Sequence, residues 1–355
     1  MGSVSTVRRF DMWRGADMSK AKITIVGMGY IGGSMGLALK ATVTADQVEI
    51  IGHDKELLIA RAARKKGAVD KVHWNLITAC EDADILVLAI PLGAIRDTLK
   101  AVAPYLKEGC VVTDTATVKG PVLDWAQEIL PDTVHFVGGN PIINLTAGEG
   151  PSSGLDAARA DLFQGVLYCL TPAPDAASDA VELIACLVQQ LGAVPYFLDP
   201  AEHDGLIAAV EHLPAVLTAV LLDVTSRAPV WREIRRLAGV AYRGSTRLTM
   251  EDAVANREVC LVNRDNLVRW IEACQDELEA WKTALLAQDT EALDSWFQEG
   301  IDARAGWLRA ARSGSWDTIT HPEPVEMPSL SSFLGQMLGL GGLRERLRKT
   351  SQREE

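Results

Sequence analysis

The chain has no CxxC pair, no long apolar run and no surplus of positive charge, and each absence removes a class of protein. Its six cysteines, Cys80, Cys110, Cys169, Cys186, Cys260 and Cys274, are scattered, most of them in apolar stretches where a thiol behaves as a small hydrophobe. That spacing offers neither a structural metal site nor a disulfide framework, and it fits a reducing, cytoplasmic compartment. No apolar run reaches the ~18 residues that span a bilayer; Ile85–Ile95 is broken by Pro91 and Leu213–Leu222 is short. The segment 1–20 mixes Arg8, Arg9, Asp11, Arg14 and Asp17 with few apolar positions and lacks the core of a secretory signal, so it reads as a disordered leader. The formal net charge of −12 would repel nucleic acid and anionic lipid, which excludes both as partners. A small anionic substrate would have to be captured by local positive groups.

What is present is enough chain, 355 residues with 48% hydrophobic composition, for two domains with their own cores. The segment Ile23-Thr-Ile-Val-Gly-Met-Gly-Tyr-Ile-Gly32-Gly-Ser joins a buried-strand pattern to a glycine-rich turn and then a helix. Gly27 permits the tight turn, Gly29 lets the backbone approach a pyrophosphate, and Gly32 lets helix and strand pack closely. Tyr30 and Ile31 then open a helix whose free N–H groups and positive dipole end face the phosphates. About twenty residues on, Val48-Glu-Ile-Ile-Gly-His-Asp54 reads as a second strand ending in a carboxylate placed for a ribose 2′-hydroxyl, which favours NAD over NADP.

The runs Asp84–Ile90, Cys110–Asp114 and Val134–Gly138 continue the pattern, separated by helical stretches ending near Leu106 and Leu130. Unbroken apolar strands alternating with helices predict an α/β, Rossmann-type doubly wound parallel sheet covered on both faces. Gly165–Leu170 and Ala193–Leu198 flank a further helix, so this NAD-binding domain is expected over residues 21–199. Beyond it the strand signal vanishes. Leu206, Val210, Leu213, Leu217, Val220 and Val224, and later Leu267, Trp270, Cys274, Leu278, Trp281 and Leu285, recur at helical spacing, predicting an all-α domain over 200–312. Its apolar stripes are core by default, and with long helices that core is shared in a homodimer. Residues 313–355 hold a Pro-rich linker and an amphipathic segment, read equally as a docking helix or a partly disordered tail.

In a doubly wound sheet, ligands lie outside the carboxyl ends of the strands. Ile90, Pro91 and Thr115 fall there on the cofactor side. Asp114-Thr-Ala-Thr-Val-Lys119 and Gly138-Gly-Asn-Pro-Ile142 follow two of the strands. The helical part offers Glu202-His203-Asp204, Glu211-His212-Leu-Pro214 and Tyr242-Arg-Gly-Ser-Thr246-Arg247.

Together these segments resemble the prephenate/arogenate dehydrogenase family of tyrosine biosynthesis. The resemblance covers roughly residues 21–285, in family order: the GxGxxGGS turn, D-x-x-[ST]-x-K, G-G-x-P, Gly154–Phe163, E-H-D…H-L-P, and T-R-L ahead of a long helix. It implies oxidation of a cyclohexadienol at its 4-hydroxyl carbon, hydride transfer to NAD, and loss of the ring carboxylate as CO2. It also implies that Arg247, beside Thr246, binds the substrate carboxylate, for which a planar guanidinium is suited; a surface ion pair is the alternative. Thr117 takes the hydroxyl position near the reacting group, with a helix N-cap as its structural alternative. Lys119 reads as a helix-start or surface charge. His203 and His212, nine residues apart on one predicted helix and about a quarter-turn out of phase, could approach one cleft.

The resemblance breaks at one point. The family places its catalytic histidine directly before the proline of G-G-x-P, and this chain has Asn140 there. An amide cannot take up a proton near neutral pH. General-base help is worth ~10²–10⁴-fold, so ordinary prephenate oxidation should be slowed unless His203, His212 or Glu149 substitutes. His135 lies five residues earlier, roughly 16 Å away on an extended strand. The segment 140–154, which includes Glu149, is also longer than the family loop, and Ala215 stands where many members carry a second histidine. Two alternatives therefore stay open: an NAD(P)-dependent oxidoreductase on another substrate, or a catalytically silent NAD-binding regulatory protein.

Overall fold

Both faces of the central strands are apolar, and that dictates a layered fold. In β1 (Ala21–Val26), Ile23 and Ile25 face one way and Val26 the other, all buried. Each face must therefore be covered by helices. The computed structural model describes residues 20–43, 47–143, 154–173, 175–246 and 252–313. The expected leader to residue 19, Glu149 and the inserted segment 144–153, Arg247, and the tail beyond 313 lie outside the described residues.

After β1 come α1 (Tyr30–Thr42), β2 (Val48–His53), α2 (Leu57–Lys66), β3 (Lys71–Val72), α3 (Leu76–Cys80), β4 (Ile85–Leu88), α4 (Leu92–Val102), β5 (Val111–Asp114), α5 (Gly120–Ile129) and β6 (His135–Pro141). Then follow β7 (Leu167–Pro172), α6 (Ser178–Gln190) and β8 (Val194–Phe197). The eight strands form one sheet in the order β3-β2-β1-β4-β5-β6-β7-β8. The order runs outward from β1 in both directions, which leaves a crevice at the carboxyl ends of β1 and β4. Ile23, Ile25, Ile50, Ile85 and Val87 pack under α1 and α6, while Val26, Leu86, Leu88 and Val112 pack under α4 and α5.

The sheet departs from the expected all-parallel arrangement at one edge. β7 pairs antiparallel to β6, with Asn140 opposite Cys169, and β8 runs parallel to β7. The chain leaves β6 and re-enters beside it, where the Ile142 N–H donates to the Leu167 carbonyl at 2.9 Å. Residues 154–166 of this connection are turns and coil, without the helical crossover that a parallel return needs. The two-residue β3 escaped sequence detection because it is too short to show a period.

The helical half comprises α7 (Pro200–Ile207), a π-helical turn (Ala208–His212), α8 (Leu213–Ser226), α9 (Trp231–Leu237), α10 (Val240–Ser245), α11 (Ala253–Val262), α12 (Arg264–Ala287) and α13 (Thr290–Ser313). Asp199 caps α7 by accepting from the Ala201 and Glu202 amides, with Pro200 in the first turn where its missing N–H is harmless. Pro214 explains the π turn: it cannot donate to the carbonyl four residues back, so the ladder widens just before it. Within a single chain, much of the expected stripe lies open. Val210 is 71% exposed, Val224 66% and Leu278 65%, whereas Ile207, Ala208, Leu213 and Leu267 are buried. Leu213–Leu222 is too short to cross a bilayer by itself; the continuous helical run Pro200–Ser226 has 27 residues, and an 18-residue window within it reaches a mean hydropathy of 1.9, which meets the length and composition of a membrane-crossing helix and nothing more.

Candidate active site

The glycine turn has two glycines locked by backbone and one that faces open space. Gly27 has φ +93°, and a Cβ there would sit 2.2 Å from the Ala89 carbonyl oxygen. At Gly32 a Cβ would meet the Gly27 oxygen at 1.9 Å. Gly29 has nothing within 4 Å of its Cβ direction, and α1 starts immediately after it without a side-chain cap. An open cradle at an uncapped helix N-terminus fits a diphosphate. Tyr30 and Ile31, both half-buried, form the first residues of that helix.

Asp54 follows β2 and is clamped to the turn: Oδ2 accepts from the Met28 amide at 2.8 Å and Oδ1 from the Glu56 amide at 2.9 Å. Each oxygen keeps a lone pair for a ribose hydroxyl. Ile90 follows β4 and places its side chain against Gly27, while Pro91 leads into α4. Thr115, half-buried after β5, donates its amide to the Leu88 carbonyl at 3.2 Å.

Deeper in, Lys119 corrects the sequence reading. It does stand at the start of α5, as the residue before Gly120, but it is fully buried and not a surface charge, with Nζ donating to Asp114 Oδ2 at 2.5 Å and to the Gly139 carbonyl at 2.7 Å. Burial pushes its pKa down while Asp114 pulls it back up. The other Asp114 oxygen accepts from the Gly139 amide at 3.1 Å, so this pair fixes the end of β6 against the loop before α5. Burial makes such a pair costly unless further hydrogen bonds support it, and here the Gly139 carbonyl and the Gly139 and Ala116 amides supply them.

Asn140 lies within β6, not after it, and is buried. Its Nδ2 contacts His203 Nε2 at 3.2 Å. His203 Nδ1 faces Asp204 Oδ1 at 2.9 Å, so the proton sits on Nδ1 and the Nε2 lone pair accepts from the amide. Asp204 also accepts from the Lys119 amide at 2.7 Å and from the Gly120 amide at 2.9 Å, and so caps α5 from the helical half. The N-cap alternative for Thr117 is thereby removed, since α5 begins at Gly120 with Asp204 as its cap.

Thr117 Oγ1 instead lies 3.4 Å from His212 Nε2, and His212 Nδ1 lies 3.2 Å from Asn263 Nδ2. Burial pushes the His212 pKa down to about 4, with Asp204 acting in the opposite direction, so the ring is neutral at pH 7. The quarter-turn expected between His203 and His212 is not what a regular helix gives, because nine residues make roughly two and a half turns and put the rings half a turn apart. The π turn between them adds about one residue, taking back roughly 100° and bringing both rings to the nucleotide half. Thr246 is engaged elsewhere: its hydroxyl donates to the Tyr242 carbonyl at 2.7 Å, the usual back-bond of a threonine at a helix end.

Sequence reasoning missed Asn263 and misplaced Lys119. Asn263 stands at the junction of α11 and α12, where it looks like any polar residue ahead of a long helix. Lys119 gave a signal in Asp114, five residues earlier, which could have been read as its buried partner.

A glycine-turn nucleotide fold, roofed at the carboxyl ends of its strands by a helical half that brings in two buried histidines, defines a pyridine-nucleotide-dependent oxidoreductase. Residues 35–197 match the model of the prephenate dehydrogenase nucleotide-binding domain, just past the turn, and residues 199–299 match that of the prephenate dehydrogenase dimerization domain. The prephenate dehydrogenase of Lactococcus lactis subsp. cremoris is 30% identical over 289 residues, covering 80% of this chain and 76% of that protein. The cyclohexadienyl dehydrogenase of Zymomonas mobilis is 29% identical over 288 residues, covering 79% and 94%. A crystal structure of prephenate dehydrogenase from A. aeolicus, in complex with hydroxyphenyl propionate and NAD+, aligns with a TM-score of 0.74 at 26% identity, over 82% of this chain and 99% of that one. The chain belongs to the prephenate dehydrogenase family.

Proposed function

We propose that this protein carries out the NAD-dependent oxidative decarboxylation of a cyclohexadienyl acid of the prephenate or arogenate type, with His203 as proton acceptor in place of the histidine that Asn140 replaces. The observation that carries the reading is the meeting of Thr117 and Asn140, at the ends of β5 and β6, with His212 and His203 from the helical half. Gly27, Gly29, Gly32 and Asp54 would hold the cofactor, and Ile90, Pro91 and Thr115 line its nicotinamide side. NAD+, when bound, supplies the hydride acceptor. Thr117 and Asn140 offer hydrogen bonds to the substrate oxygen. Asp204 holds His203 in the tautomer whose Nε2 can accept a proton once the Asn140 amide turns aside. Arg247 is assigned to the substrate carboxylate, a role suited to a guanidinium in a chain of net charge −12, and Thr246 and Glu149 to the substrate's other polar groups.

The same reading makes the protein a cytoplasmic homodimer through its helical half. Val210, Val220, Val224 and Leu278 are more than half exposed in one chain, and a second copy would cover them. Calorimetry with NAD+, followed by turnover of prephenate and of arogenate, tests the proposal. NAD+ binding with slow turnover of one acid is the expected result. Binding with turnover of neither would overturn the catalytic assignment.

A further inference from the structure

The geometry points to Asn263 as a positioning residue that decides which ring nitrogen of His212 carries the proton, and through it the direction of the hydrogen bond at Thr117. Asn263 is 5% exposed and sits between the helical half and the site. Its Nδ2 donates to the Asp204 carbonyl at 2.9 Å, an atom that can only accept. Its Oδ1 accepts from Asn266 Nδ2 at 2.8 Å, and Asn266 Oδ1 in turn accepts from the Arg269 guanidinium, a group that can only donate. Both ends of this chain of amides are fixed, so neither amide can flip without opposing like atoms.

The second Nδ2 hydrogen of Asn263 then points at His212 Nδ1, 3.2 Å away, and that nitrogen must be the acceptor. A neutral imidazole with Nδ1 unprotonated carries its hydrogen on Nε2, which faces Thr117 Oγ1. Asp204 and His203 on α7 are the titratable groups that act on this ring, and burial keeps it neutral. Thr117 therefore accepts from His212, and its own O–H is left to donate. A ligand oxygen in the cleft meets a donor at Thr117, not a base. His212 is thereby excluded as the proton acceptor, although its Nε2 lies 3.4 Å from the threonine hydroxyl.

The inference rests on the proposed function only for its catalytic consequence. ¹⁵N NMR of histidine-labelled protein, with the His212 signals assigned by loss in His212→Gln, should show the Nε2–H tautomer at pH 7. A Nδ1–H or doubly protonated ring would overturn the inference without need of any variant at position 263. In Asn263→Asp the carboxylate can only accept, so the ring should switch to Nδ1–H and its pKa should rise by at least one unit. An unchanged tautomer and pKa would show that Asn263 does not set them. With the switch made, kcat should fall at least tenfold, with the KM for NAD+ unchanged and a new ionisation in the pH–rate profile. A switched ring with unaltered kcat would remove the catalytic role. A Nε2–H ring in a protein that turns over neither acid would uphold the tautomer and refute the proposed function instead.

Discussion

Asn140 and His203 meet at 3.2 Å with the amide as donor, so the Nε2 lone pair of His203 is occupied by the Asn140 side chain. A histidine at position 140 could make the same contact with one ring N–H and turn its other nitrogen to the cleft as a base, backed by His203 and Asp204. Asn140→His should therefore raise prephenate turnover by about 10²-fold or more, the usual worth of a positioned base. Steady-state kinetics on the two proteins checks this, and equal rates would mean that the substrate does not sit against β6.

The three glycines of the turn should separate into two kinds. Gly32→Ala places a methyl 1.9 Å from the Gly27 carbonyl, and relief requires backbone movement, so the protein should lose stability. Gly29→Ala meets nothing within 4 Å and should melt like the wild type. Its methyl would nonetheless stand where a diphosphate approaches, and NAD+ affinity should fall at least tenfold. Thermal melts paired with calorimetry test the contrast; a Gly29→Ala protein that binds NAD+ normally would place the diphosphate elsewhere.

Acid should destabilise the fold through His212. Its folded pKa, pushed down to about 4 by burial, lies below the ordinary imidazole value of 6.5, so the unfolded chain takes up the proton first as pH falls. Stability is unaffected above pH 6.5, is lost progressively from there towards pH 4, and has dropped by roughly 2 kcal/mol at pH 5 from this group alone. Urea unfolding of wild type and His212→Gln at pH 7 and pH 5 measures it. Parallel losses in the two proteins would show that the ring is not buried neutral.

Asp204 carries three hydrogen bonds through its carboxylate, two of them to amides at the start of α5. Asp204→Ala leaves those amides and the His203 N–H without acceptors and should cost about 3 kcal/mol or more. Asp204→Asn keeps one acceptor and should lie between. NAD+ affinity should change little in the folded variants, because Asp54 and the glycine turn are untouched. Chemical denaturation gives the stability ranking, and an Asp204→Ala protein as stable as wild type would mean that water replaces the carboxylate.

The sheet was readable because its strands are apolar on both faces and spaced by helices, as in Ile23–Val26 and Ile85–Leu88. The reversal of β7 was not, since Leu167–Pro172 has the composition of its parallel neighbours and direction is set by the connection, not by the strand. In the site, Thr117 was legible from its place after β5, and His203 and His212 from the first helical segment beyond the sheet, whereas Asn140 lies inside β6 and not after it. The partners were not legible. Lys119 belongs to Asp114, and Asn263 to both Asp204 and His212, through contacts between elements far apart in the chain. The phase of His203 and His212 depends on a π turn, whose cause, Pro214, was visible but whose effect on helix phase was not.

The cap of α5 has a bearing on how separable the two halves are. Lys119, the residue before its first turn, makes no side-chain cap, and the carboxylate that does the capping arrives from beyond Asp199. A fragment ending at Asp199 would retain every strand yet leave that helix frayed at its start, beside the loop that carries Thr117. The nucleotide half is thus not an independent module with a lid attached: the loop that carries Thr117 is held at its α5 end by a carboxylate of the following helices.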